Sequence, residues 1–348
     1  MVKLAGMNPE ELGAVAAAAG LRPFAARQMA SWLYTKRVKD IDGMTDLPKK
    51  ARQWLKDNGY AIGRHEPIMA SRSADGTVKY LFEGVAGRDI EAVYIPDHDR
   101  ATLCVSSQAG CRMGCRFCMT GRGGWQGNLD AADILNQILS IPESETLTNI
   151  VFMGMGEPTD NIDAVLRAVE VLTAKWGFAW SPKRITVSSI GKQPGFGMLL
   201  DRTQVHIAVS LHTPYSTERL SLMPVEKAFP ARQVIETLKK YDFAHQRRLS
   251  FEYTMFDGLN DDDAHADALS RLVRGLPCRV NLIRFHRIPG FEGKPSSQER
   301  MEHFRDRLND NGVTATIRAS RGEDIMAACG MLAGAKAQQN MKEENEQS

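Results

Sequence analysis

The sequence lacks the long apolar segments that mark membrane and secreted proteins. Its longest apolar stretch, AVAAAAGL at 14–21, is much shorter than the roughly 20 apolar residues that a membrane-spanning helix needs. The first residues, MVKLAGMNPEELG, contain neither the apolar core nor the cleavage site of a signal peptide. We therefore expect a cytoplasmic protein that does not act at a membrane.

Cysteine and net charge are also scarce. The 348 residues include six cysteines, which in a reducing compartment are expected to be ligands, reactive thiols or core residues and not disulfide partners. The net charge of +2 gives no argument for a nucleic-acid partner. Between Leu21 and Tyr60, however, nine Lys and Arg residues stand against four Asp residues. This excess fits a phosphate-contacting surface, and it fits an ordinary solvated helical face nearly as well.

Composition and pattern divide the chain into four segments. Apolar residues make up 43% and charged residues 25% of the chain, as in soluble globular enzymes. The predicted segments are a helical accessory domain at 1–62, a small β extension at 63–100, an α/β core at 101–334 and a disordered tail at 335–348. In the first segment, helical spacing predicts that Phe24, Met29, Trp32 and Leu33 are buried.

The core alternates apolar strands with amphipathic helices, which predicts a parallel sheet built from right-handed β/α units. If ATLCVSS at 101–107 is the first strand, about six such units fit, and this number suits a partial (β/α)6 barrel better than a closed eight-stranded one. In such folds the chemistry collects at the carboxyl ends of the strands. Cysteines, glycines, serines and histidines stand at these ends in this sequence.

The most distinctive stretch is CRMGCRFC, with cysteines at 111, 115 and 118. Thiolates on short loops are the usual ligands of iron–sulfur clusters. Three cysteines can hold three irons of a cubane cluster and leave the fourth iron open to the amino and carboxylate groups of a ligand. With Phe117 before the last cysteine, the expected ligand is S-adenosylmethionine.

A zinc site completed by His98 or Cys104 is the alternative interpretation of these three cysteines. The motif GMGEP at 154–158 argues against it, because a carboxylate beside open backbone at a strand end suits a ligand ammonium group. The pairing of the cysteine loop with this motif one strand later is more specific than either part.

Together these motifs resemble the RlmN/Cfr family of radical S-adenosylmethionine RNA adenine methyltransferases, and the resemblance covers nearly the whole chain. The last matching motif, TATIRASRGEDIMAACGMLAG, is the most diagnostic because it carries Cys329. The other matching stretches are PFAARQMASWLY, GMTDLPKKAR, IEAVYIPDHDRATLCVSSQAGCRMGCRFCMTG, VFMGMGEPTDN, ITVSSIG, IAVSLHTP and EYTMFDGLND.

The resemblance implies a relay of the methyl group through protein sulfur. Cys329 would take the methyl group from a first S-adenosylmethionine, and a second would be cleaved at the cluster to activate the S-methyl group. The resulting methylene group would join the adenine ring and leave the enzyme covalently bound to its RNA. Glu91 would then accept the ring proton, and Cys104 would release the product by forming a transient disulfide with Cys329.

The resemblance also implies the cofactor contacts. Cys111, Cys115 and Cys118 would hold a [4Fe–4S] cluster, with two S-adenosylmethionine molecules used per turnover. The residues that match the family's S-adenosylmethionine contacts are Gly156, Glu157, Ser188, Ser210, Leu211, His212 and His286. At His286 the family commonly has Asn, but a neutral imidazole can still make one hydrogen bond.

The expected substrate is an adenosine in the peptidyl-transferase region of 23S rRNA, methylated at C2, and possible additional substrates are tRNAs with an adenosine next to the anticodon. A C8 methyltransferase of the Cfr type is the alternative within the family. Alternatives from other classes are a zinc-containing RNA-binding protein without turnover and an activase that makes a glycyl radical. We expect a monomer that receives electrons from a low-potential donor such as flavodoxin.

Overall fold

The N-terminal part is mainly helical and begins with strong local signals. The structure is a computed structural model, and it describes residues 1–244 and 247–332, so the predicted tail at 335–348 lies outside the described residues. The first helix begins with a capping box. The Asn8 side chain accepts from the Glu11 backbone N–H, and the Glu11 side chain accepts from the Asn8 backbone N–H. The elements of this part are β1 (Val2–Lys3), α1 (Pro9–Ala18), α2 (Ala25–Ala30), a π-helical turn (Ser31–Thr35), α3 (Lys49–Asp57) and β2 (Tyr60–Ala61).

Sequence patterns did not predict the parallel pairing of β1 with β2. Both strands have only two residues, too few to show an alternating pattern. This part packs on the rest of the chain through Lys3, which pairs with Asp130 and Asp133. Tyr34 adds an aromatic contact with Trp176, with ring centroids 5.6 Å apart.

The predicted β extension consists of three antiparallel strands. They are β3 (Met69–Arg72), β4 (Val78–Glu83) and β5 (Asp89–Asp97). These strands do not form a sheet of their own, because β5 pairs with the first strand of the core. The extension therefore continues the central sheet.

The core confirms the predicted α/β architecture. Its central sheet has ten strands among the described residues, in the order β14-β13-β12-β11-β10-β9-β6-β5-β4-β3, and all neighbours from β6 to β14 are parallel. Six helical crossovers join the seven parallel strands, in agreement with the predicted six β/α units. The core strands are β6 (Arg100–Cys104), β7 (Gln108–Gly110), β8 (Trp125–Asn128), β9 (Asn149–Phe152), β10 (Ile185–Ser189), β11 (His206–Ser210), β12 (Leu249–Met255), β13 (Cys278–Arg284) and β14 (Ala315–Ile317). The core helices are α4 (Met119–Arg122), α5 (Ala131–Leu139), α6 (Ile162–Thr173), α7 (Gly195–Arg202), α8 (Ser216–Leu222), α9 (Ala231–Leu238), α10 (Asp263–Leu272) and α11 (Gln298–Asp310).

None of the helices among the described residues is long and apolar enough to cross a membrane.

Of the four core positions predicted in the N-terminal helices, Met29 and Leu33 are buried and Trp32 is half-buried. The prediction for Phe24 is wrong, because 54% of this residue is exposed. Phe24 precedes the first residue of α2, so the helical spacing that placed it in the core does not apply to it.

This difference predicts unequal effects of two alanine substitutions. Met29→Ala should lower the free energy of unfolding by about 2–5 kcal/mol, because it leaves a cavity in the core. Phe24→Ala should change it by no more than about 0.5 kcal/mol, as expected of an exposed position. Urea unfolding followed by circular dichroism measures both, and equal losses would contradict the assigned burial.

Candidate active site

The cysteine loop is closed at its base by a short antiparallel pair and bends at glycines. β7 and β8 flank it and pair with each other. Gly110 has a φ of +74°, and a Cβ added there would collide with the Gly124 carbonyl. Within the loop, the Cys118 N–H donates to the Cys115 carbonyl at 3.2 Å. The sequence therefore dictates a compact turn that brings the three thiols onto one side.

These three thiols face a cavity of about 170 Å³ at the carboxyl ends of the parallel strands. Most of the residues predicted to contact the cluster or S-adenosylmethionine share this cavity, which we call the inner cavity. Of the predicted site residues, Cys111, Cys115, Cys118, Gly156, Glu157, Ser188, Ser210, His212 and Cys329 line it. Leu211, Cys104, Glu91 and His286 do not.

Burial controls the protonation of the cysteines. It raises the pKa of Cys111 to about 12, and it raises the pKa values of Cys115 and Cys118 as well. Repulsion from the Cys118 thiolate adds to the rise at Cys111 and Cys115, and repulsion from the Cys329 thiolate adds to it at Cys118. Backbone N–H groups of Thr120 and Gly121 point to the Cys118 sulfur and act in the opposite direction. Neutral thiols in an apolar cavity, with amide donors at the sulfur, suit a cationic iron–sulfur core, which binds them as thiolates and releases their protons.

The single-ion zinc alternative finds no support in this geometry. In the part of the chain that the structure describes, no three His, Cys, Asp or Glu side chains are gathered around one point as a single metal ion requires. His98 lies exposed in the turn between β5 and β6, and neither His98 nor Cys104 lines the inner cavity. The ligands of a cubane cluster are spread over several irons, so the three cysteines need not converge on one point.

Gly156 and Glu157 follow β9 and line the inner cavity together with the three cysteines. Gly156 has a φ of +99°, and a Cβ would lie 2.6 Å from the Gln108 Cβ. The buried Glu157 carboxylate accepts from the Thr159 backbone and hydroxyl on Oε1 and from the Ile190 backbone on Oε2. Burial raises the pKa of Glu157, and hydrogen bonds with Thr159, Ser189 and Ile190 oppose this rise.

His212 is held as a neutral donor. Burial lowers the pKa of His212 to about 3, with the Arg219 charge acting in the same direction. The Thr254 N–H donates to His212 Nδ1 at 3.0 Å, so Nδ1 is the acceptor and Nε2 carries the proton. The ring also makes an edge contact with Phe117, at 4.8 Å between centroids. His212 can thus offer one fixed N–H without taking up a positive charge.

Leu211 and His286 lie elsewhere. Leu211 is a fully buried core residue, and its carbonyl accepts from Arg219 Nε at 3.1 Å. His286 lines a second cavity of about 290 Å³, which we call the outer cavity. There, His286 Nε2 lies 3.1 Å from Ser320 Oγ, and Nδ1 lies 3.2 Å from a Glu323 carboxylate oxygen.

The inner and outer cavities meet at Ile283, Arg318 and Cys329, which line both. Cys329 is exposed and follows a turn that brings it back over the sheet. After it, the Met119 N–H donates to the Gly330 carbonyl at 2.8 Å. A single thiol therefore faces the cysteine loop on one side and a solvent-accessible cavity with several arginines on the other.

Cys104 and Glu91 lie on the sheet face below the outer cavity. The register places Cys104 opposite Val93 on β5 and opposite Val151 on β9, and Val151 lines the outer cavity. Glu91 is two residues from Val93, so its side chain is on the same face. Cys104 is buried, and burial raises its pKa to about 12, with the nearby Cys329 thiolate adding to this effect.

Sequence reasoning missed Arg318 and Glu252. Arg318 Nη1 lies 3.4 Å from Glu252 Oε2, and both residues line the inner cavity. Burial lowers the pKa of Arg318, but the negative charges of Cys329, Glu252 and Cys104 outweigh it and leave this pKa raised. Both residues could have been found from the sequence, since Arg318 directly follows β14 and Glu252 is a charge within an apolar strand.

Comparison with known proteins identifies the family. Residues 2–60 match the "Ribosomal RNA large subunit methyltransferase N-terminal domain" model, and residues 105–269 match the "Radical SAM superfamily" model. The chain is 58% identical to "Probable dual-specificity RNA methyltransferase RlmN" of Parabacteroides distasonis, covering 96% of this chain and 97% of the relative. It is 42% identical to "Dual-specificity RNA methyltransferase RlmN" of Halorhodospira halophila, covering 96% and 94% of the two chains.

The chain belongs to the RlmN family of radical S-adenosylmethionine enzymes. A crystal structure of a radical SAM methyltransferase from Sphaerobacter thermophilus agrees with it at a TM-score of 0.89 and 40% identity, covering 95% of this chain and 99% of that one. The predicted family, the radical-SAM fold and the use of a [4Fe–4S] cluster and S-adenosylmethionine are thereby confirmed. The roles assigned to individual residues stay predictions.

The inner cavity predicts which cysteines hold iron. Cys111→Ser, Cys115→Ser or Cys118→Ser should each lower the iron bound after anaerobic reconstitution from about four atoms per chain to well below that number, because each removes one thiolate ligand. Cys278→Ser is the matched control. Cys278 lies at the start of β13, outside the inner cavity, so this variant should bind as much iron as the wild-type protein. A full complement of iron in any of the first three variants would contradict the assignment.

Proposed function

We propose that this protein methylates C2 of an adenosine in 23S rRNA and of the adenosine 3′ of the anticodon in tRNAs. The name of the two relatives, dual-specificity RNA methyltransferase RlmN, supports the RlmN branch over a C8 methyltransferase. The observation that carries the proposal is the position of Cys329 between the inner and outer cavities. A thiol in this position can receive a methyl group from one side and deliver it to a base on the other.

The first step needs only Cys329 and a bound S-adenosylmethionine. The Cys329 thiolate attacks the methyl carbon, a new sulfur–carbon bond forms, and the bond from that carbon to the sulfonium breaks. The guanidinium of Arg318, which lines both cavities together with Cys329, interacts electrostatically with this residue. When bound, the cluster supplies the electron that cleaves S-adenosylmethionine to the radical needed for the later C–H activation.

The inner cavity would hold S-adenosylmethionine beside the three cysteines. Glu157 would accept from the ammonium group of S-adenosylmethionine, and His212 Nε2–H would donate to an acceptor atom of the same ligand. Gly156 would leave room for close approach of the ligand to the backbone. A site that excludes water protects a reactive intermediate from side reactions. Phe117 lines the inner cavity, and its ring lies 5.6 Å from that of Phe256. Both rings belong to the apolar cluster around the cysteine loop.

The outer cavity would receive the adenine. Its cationic side chains, Arg100, Arg318 and Arg321, suit the phosphates of a nucleotide that has been turned out of its stack. The radical adduct would lose its ring proton to Glu91 and its unpaired electron to a one-electron acceptor of the iron–sulfur class, and the C–H electron pair would stay in the ring. Cys104 would then attack the Cys329 sulfur and the bond from that sulfur to the product carbon would break. That carbon would keep the electron pair and take up a proton to become the methyl group.

The accessory domain at 1–62 is proposed to grip the RNA backbone. Arg22, Phe24 and Arg27 are exposed at the start of α2, and an aromatic ring between two guanidinium groups suits phosphate contact and base stacking. Several other basic residues of this segment are already paired, including Lys36 with Asp46 and Lys56 with Asp42. The start of α2 is therefore the stronger candidate for the RNA-contacting surface of this domain.

We further propose that the protein is a cytoplasmic monomer and that it receives electrons from a low-potential donor such as flavodoxin.

The product and its dependence on Cys329 test this function. Reconstituted enzyme, reductant and S-adenosylmethionine should convert adenosine to 2-methyladenosine in 23S rRNA and in tRNA, measured by mass spectrometry of nuclease digests. Cys329→Ala should abolish the product because it removes the methyl carrier, whereas Cys278→Ala should retain it. Formation of 8-methyladenosine would favour the C8 alternative, and full activity of Cys329→Ala would refute the relay.

The pKa of Cys104 predicts how product release depends on pH. Because burial raises this pKa to about 12, the thiolate fraction of Cys104 should rise about tenfold per pH unit between pH 7 and 9. The covalent enzyme–RNA adduct should disappear correspondingly faster in single-turnover reactions followed on denaturing gels. Cys104→Ala should keep the adduct at every pH. A decay rate independent of pH would contradict attack by this thiol.

A further inference from the structure

The loop that carries Cys329 is held on its N-terminal side by the hairpin of β3 and β4. The Gly322 N–H donates to Asp75 Oδ2 at 2.9 Å. In the opposite direction, Asp324 accepts from the Ser73 hydroxyl at 2.6 Å and from the Ala74 N–H at 3.2 Å. The turn of the hairpin and the loop are thus joined through one carboxylate from each.

Lys79 on β4 makes a second link at a greater depth. Lys79 Nζ donates to the Met326 carbonyl at 3.4 Å and lies 3.2 Å from Glu91 Oε1. Lys79 is 7% exposed and Glu91 is 1% exposed. Burying an ammonium and a carboxylate this deeply costs free energy unless the two groups are paired and hydrogen-bonded. Lys79 therefore connects the predicted base to the loop three residues before Cys329.

The register shows that this connection faces the reaction. Lys79 lies opposite Val93 on β5, and Val93 lies opposite Cys104 on β6. Residues directly opposite on neighbouring strands share a face of the sheet. Lys79, Glu91 and Cys104 therefore lie on one face, the face that continues into the outer cavity.

The same loop is held on its C-terminal side by the cysteine loop, through Met119 and Gly330 and through the Thr120 hydroxyl, which donates to the Leu332 carbonyl at 2.6 Å. The segment has residues with positive φ at Gly322 and Gly330, near its two ends, and at Met326 between them. Lys79 acts at one end, and the contacts to the cysteine loop act at the other. Loss of Lys79 should therefore disturb the outer-cavity end first.

We propose that Lys79 is a positioning residue that sets the Glu91 carboxylate relative to Cys329 during proton removal from the adenine ring. This inference rests on the proposed function. Lys79 touches neither the base nor a cofactor; it fixes the carboxylate to which the ring proton goes. Methyl transfer to Cys329 takes place on the inner-cavity side and does not need Glu91, so the two half-reactions should respond differently to loss of Lys79.

The test uses the full-length, cluster-loaded enzyme with Lys79→Met and Lys79→Arg. In Lys79→Met, methylation of Cys329 without RNA, measured by peptide mass spectrometry, should stay within about twofold of wild type. Product formation should fall at least about tenfold, a part of the about 10²–10⁴-fold that a positioned base contributes, and the enzyme–RNA adduct should accumulate. Lys79→Arg keeps the charge and should recover most of the product. Lys239→Met, which removes an exposed ion pair on α9, is the control and should behave as wild type.

A double-mutant cycle separates positioning from a merely structural role. If Lys79 acts through Glu91, the variant with both Lys79→Met and Glu91→Gln should make product at the rate of Glu91→Gln alone. This double variant also removes both buried charges, so it tests the proposal even if Lys79→Met alone does not fold. Multiplied losses in the double variant would overturn the proposal.

Two further results of the Lys79→Met experiment would also decide against the inference. Wild-type product formation by Lys79→Met would overturn the inference, and so would equal losses of Cys329 methylation and product. If the wild-type enzyme itself neither methylates Cys329 nor forms methyladenosine, the proposed function fails instead. The failure of the inference and the failure of the function are thus distinguishable.

Discussion

The hydrogen bond from the Met119 N–H to the Gly330 carbonyl is the contact on which the rest of the site depends. It joins the residue after Cys118, the last of the predicted cluster ligands, to the residue after Cys329, so the two predicted thiol sites are linked directly. Cys118 and Cys329 are more than 200 positions apart in the sequence, and the parallel sheet alone would not fix their distance. Gly330 can make this contact because its φ of +84° turns the chain back at once.

Electrostatics divides the thiols into two groups. The three loop cysteines lie beside one cavity, and their pKa values are raised mainly by burial and further by repulsion from neighbouring thiolates, so they would release their protons on binding a cationic cluster. Cys329 is exposed and Cys104 is buried, and both interact electrostatically with Arg318. A fixed guanidinium thus lies near both relay thiols, and at Cys104 it opposes, without overcoming, the rise in pKa that burial causes.

The sequence predicts the periodic parts of this structure well and its contacts between distant segments poorly. The parallel strands and their helices follow from apolar runs and amphipathic spacing, and the cysteine loop and GMGEP follow from their motifs at strand ends. Phe24 was misassigned because helical periodicity was extended one residue beyond the helix start. Lys79 gave no signal, because in an alternating strand a lysine is expected on the solvated face. Only the register of β4 with β5, together with the return of the C-terminal loop, shows that it faces Glu91.

The sheet itself explains why the site has two halves. Among the described strands of the central sheet, β6 alone has one antiparallel neighbour, β5, and one parallel neighbour, β9. The parallel side offers strand ends with open backbone, which suit a cluster and a nucleoside cofactor. The antiparallel side offers a continuous face on which a base and its cation can be held across strands. Cys104 is the last residue of β6. The thiol predicted to end the reaction therefore lies between the parallel strands proposed to hold the cofactor and the antiparallel strands that carry Glu91 and Lys79. A resolving thiol must reach the sulfur of Cys329, which lines both cavities. β6 is the strand from which it can do so.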